Sequence, residues 1–396
     1  MTRFRPKDER ALVEIVTAAV AQEEPLELVA GGSKRGLGRP PQLPHTLDLS
    51  GFAGISAYEP EELVLTAGAA TPMSEVEAAL AARGQMLAFE PPDWRGLLGA
   101  SAAGTLGGAV LCNLSGPRRI KAGAARDHLL GFRGVSGRGE AFKAGGKVVK
   151  NVTGYDLAKL VAGSYGTLVA VTEVSLKVLP RAAAECSILL RRLDDTAAQR
   201  AMTLGLSSPH EVSGAAHLAK GESGRDTALT LLRLEGPGPS VEARANALRA
   251  ELAAFGAAEE ARGEDSARLW RAVRDVAPLA GDAARAVWRV SVPPSAGPAL
   301  AAAVAQRLDA RWFFDWGGGL VWLSVPAAGD GGAAAIRGAL AASGGHATLI
   351  RASDALRVAV PVFEPQPPAL AALTRRVKES FDPKRILNRG RLYADV

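Results

Sequence analysis

The chain has 396 residues, 47% hydrophobic and 22% charged, an ordinary globular composition enriched in Ala and Gly that suggests two or three domains. The net charge is +6, but residues 118–159 hold ten Lys/Arg and three Asp/Glu, so that segment alone carries +7 and the remainder sums to −1. Charge this local, in a Gly-rich stretch without interleaved aromatics, suits one anionic ligand or an acidic partner face and argues against nucleic acid.

Residues 8–23 read as an amphipathic helix, with Leu12, Ile15, Val16, Ala19 and Val20 on one side. Short strands are expected at 26–30, 46–49 and 62–67, and a helix at 73–83. Residues 84–117 are rich in Gly, and 128–150 alternate in short strand-like pieces. A short helix at 156–162 and a strand at 167–178 precede Pro180, which closes the unit. From 181 the texture changes. Strand-like pieces (185–191, 227–234, 286–292, 319–325, 346–351) alternate with Ala-rich helices (195–204, 240–255, 264–275, 296–308, 332–342), which reads as an α+β domain with a largely antiparallel sheet. A helix over 366–381 and a polar tail end the chain. Cys112 and Cys186 form no CxxC or Cys/His cluster, so neither zinc, an iron–sulfur cluster nor a disulfide framework is supported. The charged start lacks an apolar signal segment, and no apolar run reaches the ~18 residues of a membrane span, so a cytoplasmic protein is expected.

Three Gly-rich segments carry the chemistry. Gly31-Gly32-Ser33-Lys34 follows a strand, where successive backbone N–H groups can form an anion nest. It is neither a Rossmann fingerprint nor a Walker A loop: Gly36-Leu37-Gly38 leads into Arg39-Pro40-Pro41, and Lys147 is followed by Val148. The second segment runs from Gly99 through Gly104, Thr105, Gly107 and Gly108, then Asn113 to Arg119 (NLSGPRR). Its small residues admit a flat or phosphorylated ligand, and its arginines can fork onto oxyanions. Close helix–sheet packing uses the same residues. The third is residues 145–156 (GGKVVKNVTGYD) followed by Gly163-Ser-Tyr-Gly-Thr167.

In this order and at these intervals, the three segments resemble the FAD-binding family of the vanillyl-alcohol-oxidase or PCMH type. Residues 150–156 with Gly163–Thr167 resemble its glycolate oxidase and D-lactate dehydrogenase branch, and Ser115-Gly-Pro-Arg-Arg119 with Arg126-Asp127 narrows the resemblance to the E-subunit type. The tail, residues 381–388 (FDPKRILN), is similar to the end that this branch folds back onto its flavin domain. The resemblance is specific over 26–180 and 381–390 and weak over 185–355.

It implies an α+β chain: a two-subdomain PCMH-type FAD-binding domain at 1–180, an α+β cap at 181–355, and a C-terminal segment, 356–396, returning to the FAD domain. It implies FAD held by Gly31, Gly32, Ser33 and Lys34 at the pyrophosphate. Pro91, Gly104, Thr105, Gly107 and Gly108 would line the phosphate and flavin side, with Ser115, Gly116 and Arg118 near the flavin. Gly163, Gly166 and Thr167 would approach the adenosine end, and Asn388 would come from the tail. The partners implied are a catalytic FAD subunit and an iron–sulfur subunit of one complex that oxidises glycolate to glyoxylate, touching a membrane only peripherally through them. One departure is Arg389-Gly390, where the family tail often reads Pro-Gly.

A second departure concerns histidines. The related catalytic subunits use them as metal ligands and base, whereas His45, His128, His210, His217 and His346 show no metal-ligand spacing here. No catalytic residue is therefore assigned. The expectation is an accessory or electron-transferring FAD subunit. A self-sufficient FAD-linked 2-hydroxy-acid dehydrogenase would need a base and an arginine for the carboxylate, for which the cap offers Arg274 and Arg289; a flavin-free structural subunit is the third reading. Cys112 reads as a small core residue or a point of flavin attachment, and the Trp312–Trp322 aromatics as strand residues facing a core, a partner face or a flavin lid.

Overall fold

The computed structural model describes residues 2–146, 154–220 and 227–396; Lys147, Lys150 and the Asn151, Val152 and Thr153 of the third Gly-rich segment lie outside the described residues. The helix Glu9–Gln22 starts where Asp8 accepts the Ala11 N–H at 2.8 Å, satisfying a donor that has no partner within the helix. Its Leu12 and Val16 are fully buried against a three-stranded parallel sheet ordered Thr2–Phe4, His45–Asp48, Leu26–Val29. A five-stranded antiparallel sheet, ordered Ile55–Glu59, Val64–Gly68, Val169–Lys177, Leu129–Ser136, Ala141–Gly145, forms the second half of this N-terminal domain.

The cap is one eight-stranded antiparallel sheet, ordered Ala258–Arg262, Ala184–Arg191, Leu229–Gly236, Gly214–Leu218, Arg311–Asp315, Leu320–Pro326, Arg285–Ser291, His346–Arg351. Side chains alternate across it, and both faces are buried. Leu232, Trp288, Phe314 and Leu323 face outward under the cap helices. Leu231, Val287, Phe313 and Trp322 face inward onto Leu37, Trp94, Leu97 and Leu114 of the N-terminal domain. Three of the eight strands have weak signals in the sequence. Gly214–Leu218 is small and buried on both faces, so it shows no alternation. Ala258–Arg262 is an edge strand whose charges (AEEAR) discourage pairing. Arg311–Asp315 is visible only as part of an aromatic cluster.

The helix Pro368–Phe381 carries the chain back to the N-terminal domain. Its only fully buried residue is a cation. Lys378 donates to the Thr167 carbonyl (2.6 Å), the Leu387 carbonyl (2.9 Å) and Asp382 (2.7 Å). Asp382 accepts the Ile386 and Leu387 N–H groups, both at 2.8 Å. The tail then runs beside Leu26–Val29: Leu26 N–H donates to Ile386 (2.7 Å) and Asn388 N–H to Leu26 (3.0 Å). Since removing one partner of a buried pair leaves the other charge uncompensated, Lys378→Ala should lower unfolding free energy by about 3–5 kcal/mol, read from urea melts.

Candidate functional site

A cleft with a cavity volume of about 120 Å³, partly open to solvent, lies between the parallel sheet, the segment around Thr105 and the tail. Gly31, Gly32, Ser33, Lys34, Thr105, Gly107, Gly108, Gly166 and Asn388 all line it. The backbone comes so close that side chains would not fit. A Cβ on Gly31 would stand 2.4 Å from the Ala103 carbonyl oxygen, and one on Gly107 2.7 Å from Ala69. Lys34 brings a half-buried ammonium here with no ion-pair partner among the described residues; it reaches only Ser33 Oγ, at 3.4 Å, and burial pulls its pKa down. A backbone nest closed by an unpaired, desolvated cation suits a phosphate ester, and FAD's pyrophosphate fits that donor set. The neighbouring Arg35 is already paired with Glu27. Burial pushes the Cys112 thiol up, away from the reactive thiolate.

The tail shapes the other end. Asn388 accepts the Leu28 N–H and donates to the Tyr165 carbonyl, both at 2.8 Å. Arg391, which also lines the cleft, donates to the carbonyls of Lys34 (2.9 Å) and Arg35 (3.1 Å). The tail therefore fixes the nest loop and Tyr165 together. Burial also pushes the Tyr165 phenol up, so it stays protonated; Cys112 and Arg391 on one side and Arg289 of the cap on the other are charges it senses.

Arg289 belongs to a second cluster, on the inward face of the cap sheet. Its guanidinium lies 5.0 Å from the centre of the Trp316 ring, and Arg119 of the N-terminal domain lies over the same ring at 4.4 Å. Among the described residues neither side chain has a hydrogen bond or a carboxylate partner. Burial depresses both, Arg289 to about 10, and Arg119 adds like-charge repulsion to Arg289. His346, on the adjacent strand, is held below its usual pKa by burial and by the same two arginines. Two forked cations over one indole, with no counter-ion among the described residues, are chemically suited to a small anion. The backbone here is strained: Tyr165 (φ 55°), Trp316 (φ 53°), Asn113 (φ 49°), Glu90 (φ 50°) and Asn388 (φ 44°) are all left-handed. Such outliers persist where the surroundings enforce them, often at functional sites.

The remaining expected residues sit elsewhere. Pro91 and Arg118 line a separate cleft between the domains, and Arg118 is consumed by ion pairs to Glu235 (2.8 Å) and Glu90 (3.2 Å). Ser115 accepts the Ala125 N–H at 2.9 Å, and the Gly116 carbonyl accepts the Trp316 indole N–H at 3.2 Å. Gly104 borders Lys34, where a Cβ would be 3.3 Å from its ammonium. Gly163 (φ 91°) turns beside Asn113, and Thr167 bonds to Ser164 and to Lys378. Of the two cap arginines, Arg274 is tied to Asp275 at 2.8 Å and only Arg289 is free. His217 lies on the outward face, pairing Nδ1 with Thr230 at 2.9 Å and stacking on Phe314, so it points away from the cleft. The basic segment is largely spent on structure: Arg133 pairs with Glu9, Arg138 caps the carbonyls of Glu379 and Ser380, and Lys159 binds the Leu129 carbonyl. The sequence assigns none of Tyr165, Arg391, Arg119 and Trp316 to the site; Tyr165 and Arg119 stand inside recognised motifs, Trp316 stands in the aromatic cluster read as a core, a partner face or a flavin lid, and Arg391 carries no signal of its own. Among the described residues there is no group of three or more His, Cys, Asp or Glu able to hold a metal, and no helix long and apolar enough to cross a membrane.

Comparison with known proteins agrees with this architecture. Residues 3–145 match the FAD binding domain family, and residues 177–335 and 363–392 match the C-terminal domain of FAD linked oxidases. The chain is an FAD-linked oxidoreductase of the PCMH and vanillyl-alcohol-oxidase fold. More narrowly, it belongs to the family of glycolate oxidase subunit GlcE of Escherichia coli (strain K12), with 36% identity over 387 residues covering 98% of both chains. Glycolate oxidase subunit GlcD of Bacillus subtilis is 38% identical over 112 residues, 28% of this chain and 23% of that one. In fold, the chain is similar to 4-ethylphenol oxidase from Gulosibacter chungangensis (TM-score 0.74, 14% identity, covering 99% of this chain and 89% of that one) and to p-cresol methylhydroxylase (TM-score 0.74, 13% identity, covering 99% and 88%).

Lys34→Met keeps the stem but removes the charge. It should weaken FAD binding about 10–100-fold, the loss of one charge-assisted bond, with the melting temperature of FAD-free protein unchanged; flavin fluorescence on titration measures it.

Proposed function

We propose that this chain is the FAD-carrying subunit of a heteromeric 2-hydroxy-acid-oxidising complex acting on glycolate, and that it holds the substrate carboxylate itself on Arg119 and Arg289. The observation that carries the reading is this unpaired arginine pair beside the Tyr165 end of the FAD cleft. When bound, FAD supplies a two-electron acceptor. The chain's own residues do the rest. Gly31, Gly32, Ser33 and Lys34 hold the pyrophosphate, and Asn388 and Arg391 lock the loop that presents them. Arg119 and Arg289 orient the acid, and the inward face of the cap, with Phe313 and Trp322 fully or nearly buried, excludes water. The relative's name as a subunit supports assembly with other chains. The partners in this proposal are a second FAD subunit and an iron–sulfur subunit that carry the electrons onward.

The arginine pair favours a chain with its own substrate site over a purely accessory one. Purified protein should release FAD on acid treatment, and its visible spectrum should bleach with glycolate in the absence of air. Arg289→Met should keep FAD but weaken binding of oxalate, an unreactive dicarboxylate, about 10–100-fold, as the loss of a charged hydrogen-bonding partner predicts. Unchanged oxalate affinity in that variant would refute the assignment of the pair.

A further inference from the structure

Removing hydride from a 2-hydroxy acid also requires a home for the hydroxyl proton. Asp315 is the residue in place for it. It ends the strand Arg311–Asp315, immediately before Trp316, on whose ring the two arginines lie. Cross-strand register pairs Phe313 with Trp322 and Trp322 with Arg289, so Asp315, two residues beyond Phe313, shares the inward sheet face with Arg289. It is 2% exposed, and among the described residues no Lys, Arg or His forms an ion pair with it. One carboxylate oxygen accepts the Trp316 N–H at 2.7 Å, which holds the group in place. The charges around it are Glu90 from the N-terminal domain, Arg233 from two strands away on one side and Arg289 from two strands away on the other, with Arg119 across the Trp316 ring. Burial raises its pKa and Glu90 adds to this, while the hydrogen bond from Trp316 and, less strongly, the two arginines oppose it; the balance is about 7.

We propose that Asp315 is a catalytic residue, the acceptor of the 2-hydroxyl proton from an acid bound on Arg119 and Arg289; this rests on the anion-site reading above. The hydroxyl O–H bond breaks and its proton passes to the Asp315 carboxylate. The electron pair left on oxygen becomes the second bond of the new carbonyl. FAD, when bound, would supply the two-electron acceptor for the hydrogen on the α-carbon, and a 2-oxo acid would result. The other groups nearby are poorer acceptors: burial keeps the Tyr165 phenol and the Cys112 thiol protonated. His346, the first residue of its strand, is part-sunk beside the arginines but open to solvent on its other side, where water competes for a proton.

The same arrangement couples anion binding to protonation. A carboxylate arriving on the arginine pair places negative charge near Asp315, which raises its pKa further, so binding near neutral pH takes up a proton and affinity falls as pH rises through 7. The test uses the FAD-loaded chain and oxalate. Calorimetry in buffers of different ionisation enthalpy should show proton uptake by the wild type at pH 7. Asp315→Asn, which keeps the oxygen that accepts the Trp316 N–H, should still bind oxalate but take up none. With glycolate, its rate of flavin bleaching should fall at least about 100-fold and lose the rise above pH 7 that deprotonation of Asp315 in the complex gives the wild type. His346→Gln should behave as wild type in both. Proton uptake that persists in Asp315→Asn, or is lost instead in His346→Gln, overturns the proposal. Oxalate that fails to bind the wild type overturns the anion-site reading beneath it, and this proposal with it.

Discussion

The cap stays seated on the N-terminal domain through a buried lattice of four charges, and the site exists only while it does. Glu90 takes two hydrogen bonds from Arg233 of the cap, at 2.8 and 3.0 Å, and one from the Arg118 N–H at 2.5 Å. Arg118 reaches back to Glu235 of the cap in a fork at 2.8 and 2.9 Å. Burial alone would raise both carboxyls, but Arg233 and Arg118 outweigh it and hold Glu90 low and Glu235 at about 2. Such a lattice adds little net stability compared with apolar packing, but it makes one docking geometry far better than its neighbours, because any slip would strand a buried charge. Its effect is to fix the inward sheet face, and with it Arg289 and Asp315, against Tyr165 and Arg119.

A second constraint works from the opposite end of the chain. The Lys378–Asp382 pair turns the tail so that Asn388 and Arg391 arrive between the first sheet and the nest loop. The arrangement leaves no room for error: a Cβ on Gly38 would stand 2.8 Å from the Arg391 carbonyl oxygen, and one on Gly166 2.9 Å from the Asn388 amide. The cofactor cleft is thus shared between residues more than 350 positions apart, and FAD binding and tail docking should be thermodynamically linked.

This division explains what could be read in advance. The Gly-rich loops were legible because close approach demands glycine locally: Gly31 and Gly107 could be placed without knowing what lies opposite them. The alternation of strands and Ala-rich helices likewise exposed most of the cap. Arg118 shows the limit. It stands in the same motif as Arg119, one residue away, yet one guanidinium is neutralised by two carboxylates and the other has none; that difference depends on where Glu90 and Glu235 lie in space. Arg274 and Arg289 looked equivalent for the same reason, until Asp275 was seen to occupy the first. His217 has no role assigned by sequence, and its place on the outward face follows from register, which decides the face of a strand to which a side chain points.

Charge left uncompensated is the feature that ties these observations to chemistry. Desolvating an ion costs several kcal/mol, and elsewhere in this protein that cost is met by a partner: Arg233 has Glu90, Lys378 has Asp382, and Arg351 has the carbonyls of Leu279, Ala280 and Asp282. Among the described residues, Lys34, Arg119 and Arg289 break the pattern, in two places. Lys34 stands in the cleft that the family fills with FAD, so its missing anion is the pyrophosphate. The arginine pair stands beyond Tyr165, where the cap closes over the other end of that cleft. In the proposed reading its missing anion is the carboxylate of the molecule to be oxidised. The cost of holding two bare guanidiniums side by side is then the preorganisation that positions that acid before reaction.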